Sequence, residues 1–485
     1  MTQRYVIGRQ SYVALKSIKL TFLVILTYFR AIHPVFFIIF ATTIKPETMK
    51  TSLIGIIILG TMMLSCNSSA ESSNNGEFKS NDDGVSVDLP TNPAPIELTQ
   101  AQRVFASDNN QFTLNFLKKA NEADRSGKSF IYSPLSITYV LGMVNDAAEG
   151  KTRKELEQTL GFHEGGIEAV NKYCKTLIEN LPNVDKNAQL NIANAIFVNK
   201  QYALKTQFQQ DMQQYYHAKA ESLDFSSPSI LSHINGWCNE KTKGMIPKIL
   251  DETDPSIISY LLNAIYFKAN WASKFDERDT QIETFATANG DVQLPLMHKS
   301  MLINYVKNNT YAAVDIPYGN SMWSMCVMLP EKGETTDDII ALLAKNGWTA
   351  DYSNKNPLND AQQYRVDLKL PRFETTSDTE DCDGGLIGLL QPMGIQQIFN
   401  PSSSQVPNMC KQGNVFISMM RQKAAIKVNE KGSEAAAVTI GGVRLTSARP
   451  VEYPTAIFHA NRPFVYVIRE RSSGVILFVG KFTGK

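Results

Sequence analysis

Ser433, Ser447 and His459 are the residues near the C-terminal end whose types could make a hydrolytic site, a hydroxyl as nucleophile with an imidazole to take its proton. Nothing local supports that chemistry. The six histidines, at 33, 163, 217, 233, 298 and 459, stand singly, and the chain has no G-x-S-x-G, H-E-x-x-H or G-x-x-x-x-G-K-[ST] motif. The six cysteines, at 66, 174, 238, 326, 382 and 410, include no C-x-x-C pair and no histidine at ligand spacing, so no zinc site is expected. Cys382 and Cys410 bracket one segment, and an exported chain could bond them. A catalyst is therefore not expected, nor a metal or cofactor, although a triad assembled across a fold leaves no local spacing to read.

The same region shows a periodicity instead. Residues 428–446 read V-N-E-K-G-S-E-A-A-A-V-T-I-G-G-V-R-L-T. Alternate positions, Ser433, Ala435, Ala437, Thr439, Gly441, Val443 and Leu445, are small or apolar, while Glu434 and Arg444 fall in the other register. A strand with one buried face has this pattern. Yet the flanks, residues 416–426 and 464–482, are themselves rich in Val, Ile and aromatics and read as strands, which makes the stretch between them a loop. Alanines such as Ala435, Ala436 and Ala437 are poor turn-formers, and a long surface loop without structure of its own is uncommon unless it is functional. Two readings stand: a loop able to become a strand, and chance alternation of small residues.

The elements that must hold this loop are legible in outline. Residues 98–123, with Phe105, Phe112, Leu114, Phe116 and Leu117, read as a helix. Residues 129–132 form a short strand that enters a helix at Ser133 and Pro134, where a serine cap and an early proline suit a helix start. Further helices are predicted at 152–160, 166–181, 229–241, 336–345 and 385–393, and strands at 190–198, 257–267, 302–306, 311–316, 322–329 and 364–370. Helices first and largely antiparallel strands later predict an α+β fold rather than a doubly wound one. The 485 residues, 43% hydrophobic and 20% charged, support a large core, and a net charge of +1 gives no reason to expect a nucleic-acid partner.

The N-terminal part reads differently. Residues 20–44 and 53–64 are apolar, the first interrupted by Arg30 and His33. The second follows Met49 and Lys50 and ends at Leu64, Ser65 and Cys66, which resembles a bacterial lipoprotein signal with Cys66 as the lipidated residue. Leu64 stands one place nearer the cysteine than in the commonest form of that signal. On this reading Met49 is the true start, 49–66 are the signal peptide and residues 1–48 are upstream sequence; the alternative is a membrane segment at 20–44. Residues 67–95, rich in Ser, Asn, Asp, Gly and Pro, make a disordered tether that spans about 30 Å. The folded domain is then 96–485, in the bacterial cell envelope, lipid-anchored to the outer membrane on its periplasmic or exposed side, or extracellular.

Several separated motifs resemble one family. Residues 429–437, N-E-K-G-S-E-A-A-A, resemble the hinge of the reactive-centre loop of serpins, with Glu430, Gly432, Ser433, Glu434, Ala435, Ala436 and Ala437 as hinge positions. F-H-A-N-R-P-F-V-Y-V-I at 458–468 looks like the family's C-terminal signature. F-I-Y-S-P-L-S-I at 130–137, I-N-G-W-C-N-E-K-T-K-G at 234–244 and N-A-I-Y-F-K-A-N-W at 263–271 are similar to segments of and around the central sheet, in the family's order. The motifs I-P-Y-G at 316–319, L-K-L-P-R-F at 368–373 and M-G-I at 393–395 fit as well.

The resemblance implies a serpin-like α+β fold: helices on a large, mostly antiparallel central sheet, two further sheets and an exposed loop. It implies a monomeric inhibitor of serine or cysteine proteases, which cut the loop and are trapped in a covalent complex as the loop inserts into the sheet. The alternation at 433–439 answers to that need, because bulk entering a packed core costs about 1–3 kcal/mol per site. By the family's spacing the scissile bond is Thr446-Ser447, with Arg444 and Leu445 as other candidates, since the loop before Phe464 is longer than in many relatives. Ser133, Ser136 and Asn263 match the polar shutter under the sheet, where Gln422 stands in place of the usual histidine, and Trp271 matches the breach where the hinge enters. A non-inhibitory serpin-fold binding protein is the alternative.

Overall fold

A computed structural model describes residues 92–348, 361–433 and 452–485. The chain divides into two units, residues 1–85 and 86–485, and every described residue lies in the second. Cys66, with the signal, most of the tether and the loop from Glu434 through Ala435, Ala436, Ala437, Arg444, Leu445, Thr446 and Ser447, lies outside the described residues.

The first third is mainly helical. Helix α1, Gln100–Ala123, starts at a capping box in which Thr99 and Gln102 exchange side-chain and backbone hydrogen bonds, and it buries Phe105, Phe112, Phe116 and Leu117 on one face. Strand β1, Phe130–Tyr132, leads into α2, Pro134–Ala147, which is apolar almost all round and buried accordingly. Then come α3, Gly150–Leu160, and α4, Gly166–Asn180. Strand β2, Gln189–Asn199, follows, then α5, Thr206–Tyr216, and β3, Lys219–Leu223. Helix α6, Ile230–Lys241, precedes β4, Ser259–Asn270. The rest is mostly strands: β5 Gln281–Phe285, β6 Val292–Lys307, β7 Tyr311–Tyr318 and β8 Trp323–Pro330, then helix α7 Thr336–Asn346. Strands β9 Gln362–Pro371 and β10 Phe373–Asp378 lead to α8, Gly385–Leu390, followed by β11 Met419–Asn429 and β12 Gly432–Ser433. Strands β13 Thr455–His459, β14 Phe464–Glu470 and β15 Ile476–Phe482 end the chain.

Two sheets result. One has six strands in the order β10-β11-β12-β4-β2-β3, with β11 also paired directly to β4. It is mixed: β4 with β11 and β2 with β3 are parallel, the rest antiparallel. The other path, β1-β15-β14-β8-β7-β6-β9-β13 with β5 on β6, joins what the sequence led us to expect as two separate sheets. The joint is β6, whose sixteen residues pair with β9 over Leu296–Tyr305 and with β7 over Asn304–Lys307. Helix α2 lies against β15, β4 and β2, so its buried face floors the six-stranded sheet. Helix α6 packs on the opposite face, through a second apolar cluster of Ile234, Trp237, Phe197, Tyr260 and Leu262.

Elements escaped the sequence where pattern was weak. Helix α5 and strands β3, β5, β10 and β13 are short, polar or edge pieces whose hydrophobic alternation is diluted. The suggested Cys382–Cys410 bond is not made: both thiols are buried and free. Cys382 lies 3.3 Å from the Tyr132 hydroxyl, whereas Cys410 bridges to Leu204, and burial pushes its pKa up to about 11.

Candidate functional site

Two clusters sit at the two ends of one seam, between β4 and β11. At its upper end Gly432 and Ser433 form β12, antiparallel to both neighbours: Ser433 stands opposite Val428 and Ala269, Gly432 opposite Asn429 and Asn270. Only glycine fits at 432. Its φ is +145°, and an added Cβ would lie 2.2 Å from the Ala269 carbonyl oxygen. Ser433 is 1% exposed, and its hydroxyl shares a 2.9 Å hydrogen bond with Tyr318.

Trp271 backs this end. Its ring stacks on Tyr318 at 4.2 Å and 11°, its indole N–H donates to the Asn429 carbonyl at 2.9 Å, and its backbone N–H donates to Lys431. Glu430, 4% exposed, accepts from Thr280 Oγ1 at 2.6 Å and from the Arg372 guanidinium at 2.5 Å. Burial alone would raise its carboxyl pKa, but the bonds from Arg372 and Thr280 outweigh it and hold the pKa below the usual glutamate range. Glu430 is thus clamped as a charged group just before β12.

At the lower end β4 and β11 are paired directly, Met419–Lys423 with Tyr260–Ala264. Gln422 is opposite Asn263 and donates to its Oδ1 at 3.1 Å. The same amide donates to the Ser133 carbonyl at 2.8 Å and accepts from the Ser133 N–H at 3.0 Å. Asn263 in turn donates to Asn194 at 2.8 Å, and the Gln422 N–H to Thr379 at 3.0 Å. Ser133 occupies the position before α2 but does not cap it as expected; its hydroxyl donates instead to the Leu477 carbonyl at 2.7 Å and lies 3.2 Å from the Ser136 hydroxyl. The carbonyl of Leu477, buried at the base of α2, is the stronger claim on that proton, because an unmet buried carbonyl is costly.

Ser133, Ser136, Asn263 and Gln422 therefore meet in one buried network, and Glu430, Gly432, Ser433 and Trp271 in another. Thr280, Arg372 and Tyr318 around the hinge, and Asn194 and Thr379 around Gln422, were not singled out from sequence. Tyr318 and Arg372 do lie inside the motifs 316–319 and 368–373, which was the available signal; Thr280 and Thr379 carry none. Between the clusters the β4–β11 ladder stops at Lys423 and Ala264, so the seam is closed below and wedged by two residues above. Such a seam can receive a strand. Among the described residues no group of His, Cys, Asp and Glu is disposed to hold a metal ion.

Comparison with known proteins accords with this geometry. A family model described as serpin (serine protease inhibitor) matches residues 107–484. The human leukocyte elastase inhibitor is 30% identical over 393 residues, covering 78% of this chain and 98% of its own. Among solved structures, the thermophilic serpin tengpin in its native state superposes with a TM-score of 0.68 at 26% identity, over 82% of this chain and 98% of that one. A thyroxine-binding globulin in complex with thyroxine superposes at 0.65 and 27% identity, over 78% and 98%.

Proposed function

The chain belongs to the serpin family and has the serpin fold, and from that premise we propose that it inhibits serine endopeptidases, and cysteine endopeptidases of similar reach, as a suicide substrate. The protease attacks a bond in the window 443–447, and its nucleophile is acylated by the residue whose carbonyl is cut. The freed N-terminal side of the loop then inserts between β4 and β11 before water releases the enzyme.

One observation carries this reading: Gly432 and Ser433 already lie in the seam, antiparallel to both walls. Extending β12 downward replaces a single parallel ladder of five pairs with two antiparallel ladders, and antiparallel pairing is the more stable per residue. The side chains on the Ser433 face, continued by alternation, are Ala435, Ala437 and Thr439, small enough to enter beside Tyr318 without displacing it. The protein itself turns over no substrate on this reading and acts as a monomer. Lipid attachment at Cys66 would hold it on a bacterial cell envelope, facing the proteases it meets there.

A panel of trypsin-, subtilisin-, elastase- and papain-like proteases tests the proposal. A complex that survives denaturing electrophoresis with at least one of them is the expected result. Cleavage of the loop by every enzyme without such a complex would instead favour a binding protein, as the thyroxine-binding globulin is.

A further inference from the structure

The seam between β4 and β11 is crossed on its outer face. Residues 242–258, which join α6 to β4, run irregularly over the side of the sheet that α6 covers. Their apolar side chains Ile246, Ile249 and Leu250 are buried in the cluster that Trp237 makes with Phe197 of β2 and with Tyr260 and Leu262 of β4. Asn235 of α6 fixes the same stretch. Its amide donates to the Leu250 carbonyl at 2.9 Å and accepts from the Ile249 and Leu250 N–H groups at 2.8 and 2.9 Å. The segment is thus seated on the β2–β4 side of the seam. Of β11, only Met419, at the foot of the ladder, packs against that cluster among the described residues.

What reaches across to the rest of β11 is polar. Arg421 Nη2 donates to Asp251 at 3.1 Å, and Lys423 Nζ donates to the Lys248 carbonyl at 3.0 Å. Both cations belong to the far wall, because Asp378 of β10 holds them there, Arg421 Nε at 2.9 Å and Lys423 Nζ at 3.2 Å. Ser418, just before β11, accepts from the Ile258 N–H at 3.2 Å below the last pair. Lys423 stands opposite Ala264 and Arg421 opposite Leu262, at the top of the direct β4–β11 ladder. A strand continuing β12 downward therefore meets these two bonds as soon as it reaches that ladder.

Neighbouring strands lie about 4.8 Å apart, so a strand entering between β4 and β11 roughly doubles their separation. Bonds of 3.0 and 3.1 Å between groups pinned to opposite walls do not survive that change. We propose that Asp251 and the Lys248 carbonyl form a latch with Arg421 and Lys423, which must break before a strand passes and so slows insertion. The latch rests on the insertion reading above and closes the outer face of the seam, as Gln422 closes the inner one. The Asp251 side chain is 60% exposed and that of Arg421 9%, so the pair is partly wetted and gives way readily. An ion pair of this kind holds back a rate by about two- to fivefold, a delay rather than a block.

Uptake by the full chain of a synthetic peptide with the sequence of residues 433–446, without protease, tests the latch; it is followed by native electrophoresis and thermal midpoint. Asp251→Asn and Lys423→Met are each expected to take up the peptide about two- to fivefold faster than the unmodified chain. Asp251→Glu should restore the original rate, and Glu252→Gln, at the neighbouring exposed carboxylate, should leave it unchanged. Salt at about 1 M should bring the unmodified chain close to the Asp251→Asn rate. Hydrogen exchange of the ladder amides in 260–264 and 419–423 needs no peptide, and Asp251→Asn should quicken it by a similar factor. Equal uptake and equal exchange in the unmodified chain and Asp251→Asn overturn the latch and leave insertion standing. Matching acceleration in Glu252→Gln also overturns it, because the effect is then one of net charge. Quickened exchange with no peptide uptake by any chain overturns the insertion reading instead.

Discussion

Ser433 is where residue chemistry and mechanism meet most closely. Its hydroxyl is small, buried and satisfied by Tyr318, so a long charged side chain there has neither room nor partner. Ser433→Arg is expected to turn inhibitor into substrate, read as a cleaved band replacing the covalent complex on a gel. A covalent complex formed in normal yield would show that insertion does not start from this residue. Glu430 supplies the second residue-scale expectation. With Arg372→Ala its buried carboxylate loses a charged donor, costing about 1.5–3 kcal/mol of native stability. Because the folded-state pKa is depressed, the clamp's contribution is full above the ordinary value of 4.5 and fades as the pH falls below it through the lowered value. Thermal midpoints across that acid range should therefore decline in the unmodified protein, and Arg372→Ala should flatten the decline.

The seam is a property of elements. Strands β4 and β11 are held together below by Gln422, which touches Asn263 and both backbone groups of Ser133, and so ties the sheet to α2. Gln422→Ala removes the acceptor of the Ser133 N–H and the donor to Asn263 Oδ1, both buried, at about 1–3 kcal/mol. The expected readout is a lower thermal midpoint together with faster spontaneous loss of inhibitory activity, since the seam opens more easily. An unchanged midpoint would mean that the amide is not what closes it. Glutamine carries no proton-dependent charge, so Gln422 itself adds no pH response, unlike Glu430. Strand β13, the first after the loop, is anchored separately, by five parallel pairs to β9 and by His459 to Asp367, which His298 also contacts.

For the whole molecule the proposed inhibition requires metastability. The intact chain leaves a sheet with a parallel ladder where two antiparallel ones are possible, and the loop that would complete it is fixed at both ends, in β12 and β13. Cutting the loop releases that constraint. Limited cleavage in the window 443–447 should raise the thermal midpoint by tens of degrees, because a strand of about ten residues joins a continuous core. A cleaved protein melting where the intact one does would rule out insertion, whatever protease had cut it.

Much of this was legible in residue order because the signals are local. The alternation from Ser433 onward, the helix start at Pro134 and the apolar face of α1 follow from side-chain period alone, and the motifs around Asn263, Trp271 and Glu430 carried the family. The clusters themselves were not legible in contact detail. Thr379 reaches Gln422 across 43 positions, and Thr280 reaches Glu430 across 150, contacts that exist only once β10, β11 and the segment before β5 are brought together. The role of Ser133 shows the same limit: a serine before a proline suits a cap, yet the nearest unmet acceptor was a carbonyl 344 positions away. Sequence by itself nominated the segment proposed to become a strand, since that expectation rests on side-chain size and alternation. Only the tertiary structure showed a seam with room for such a strand, because a seam is defined by the hydrogen bonds two distant strands fail to make with each other.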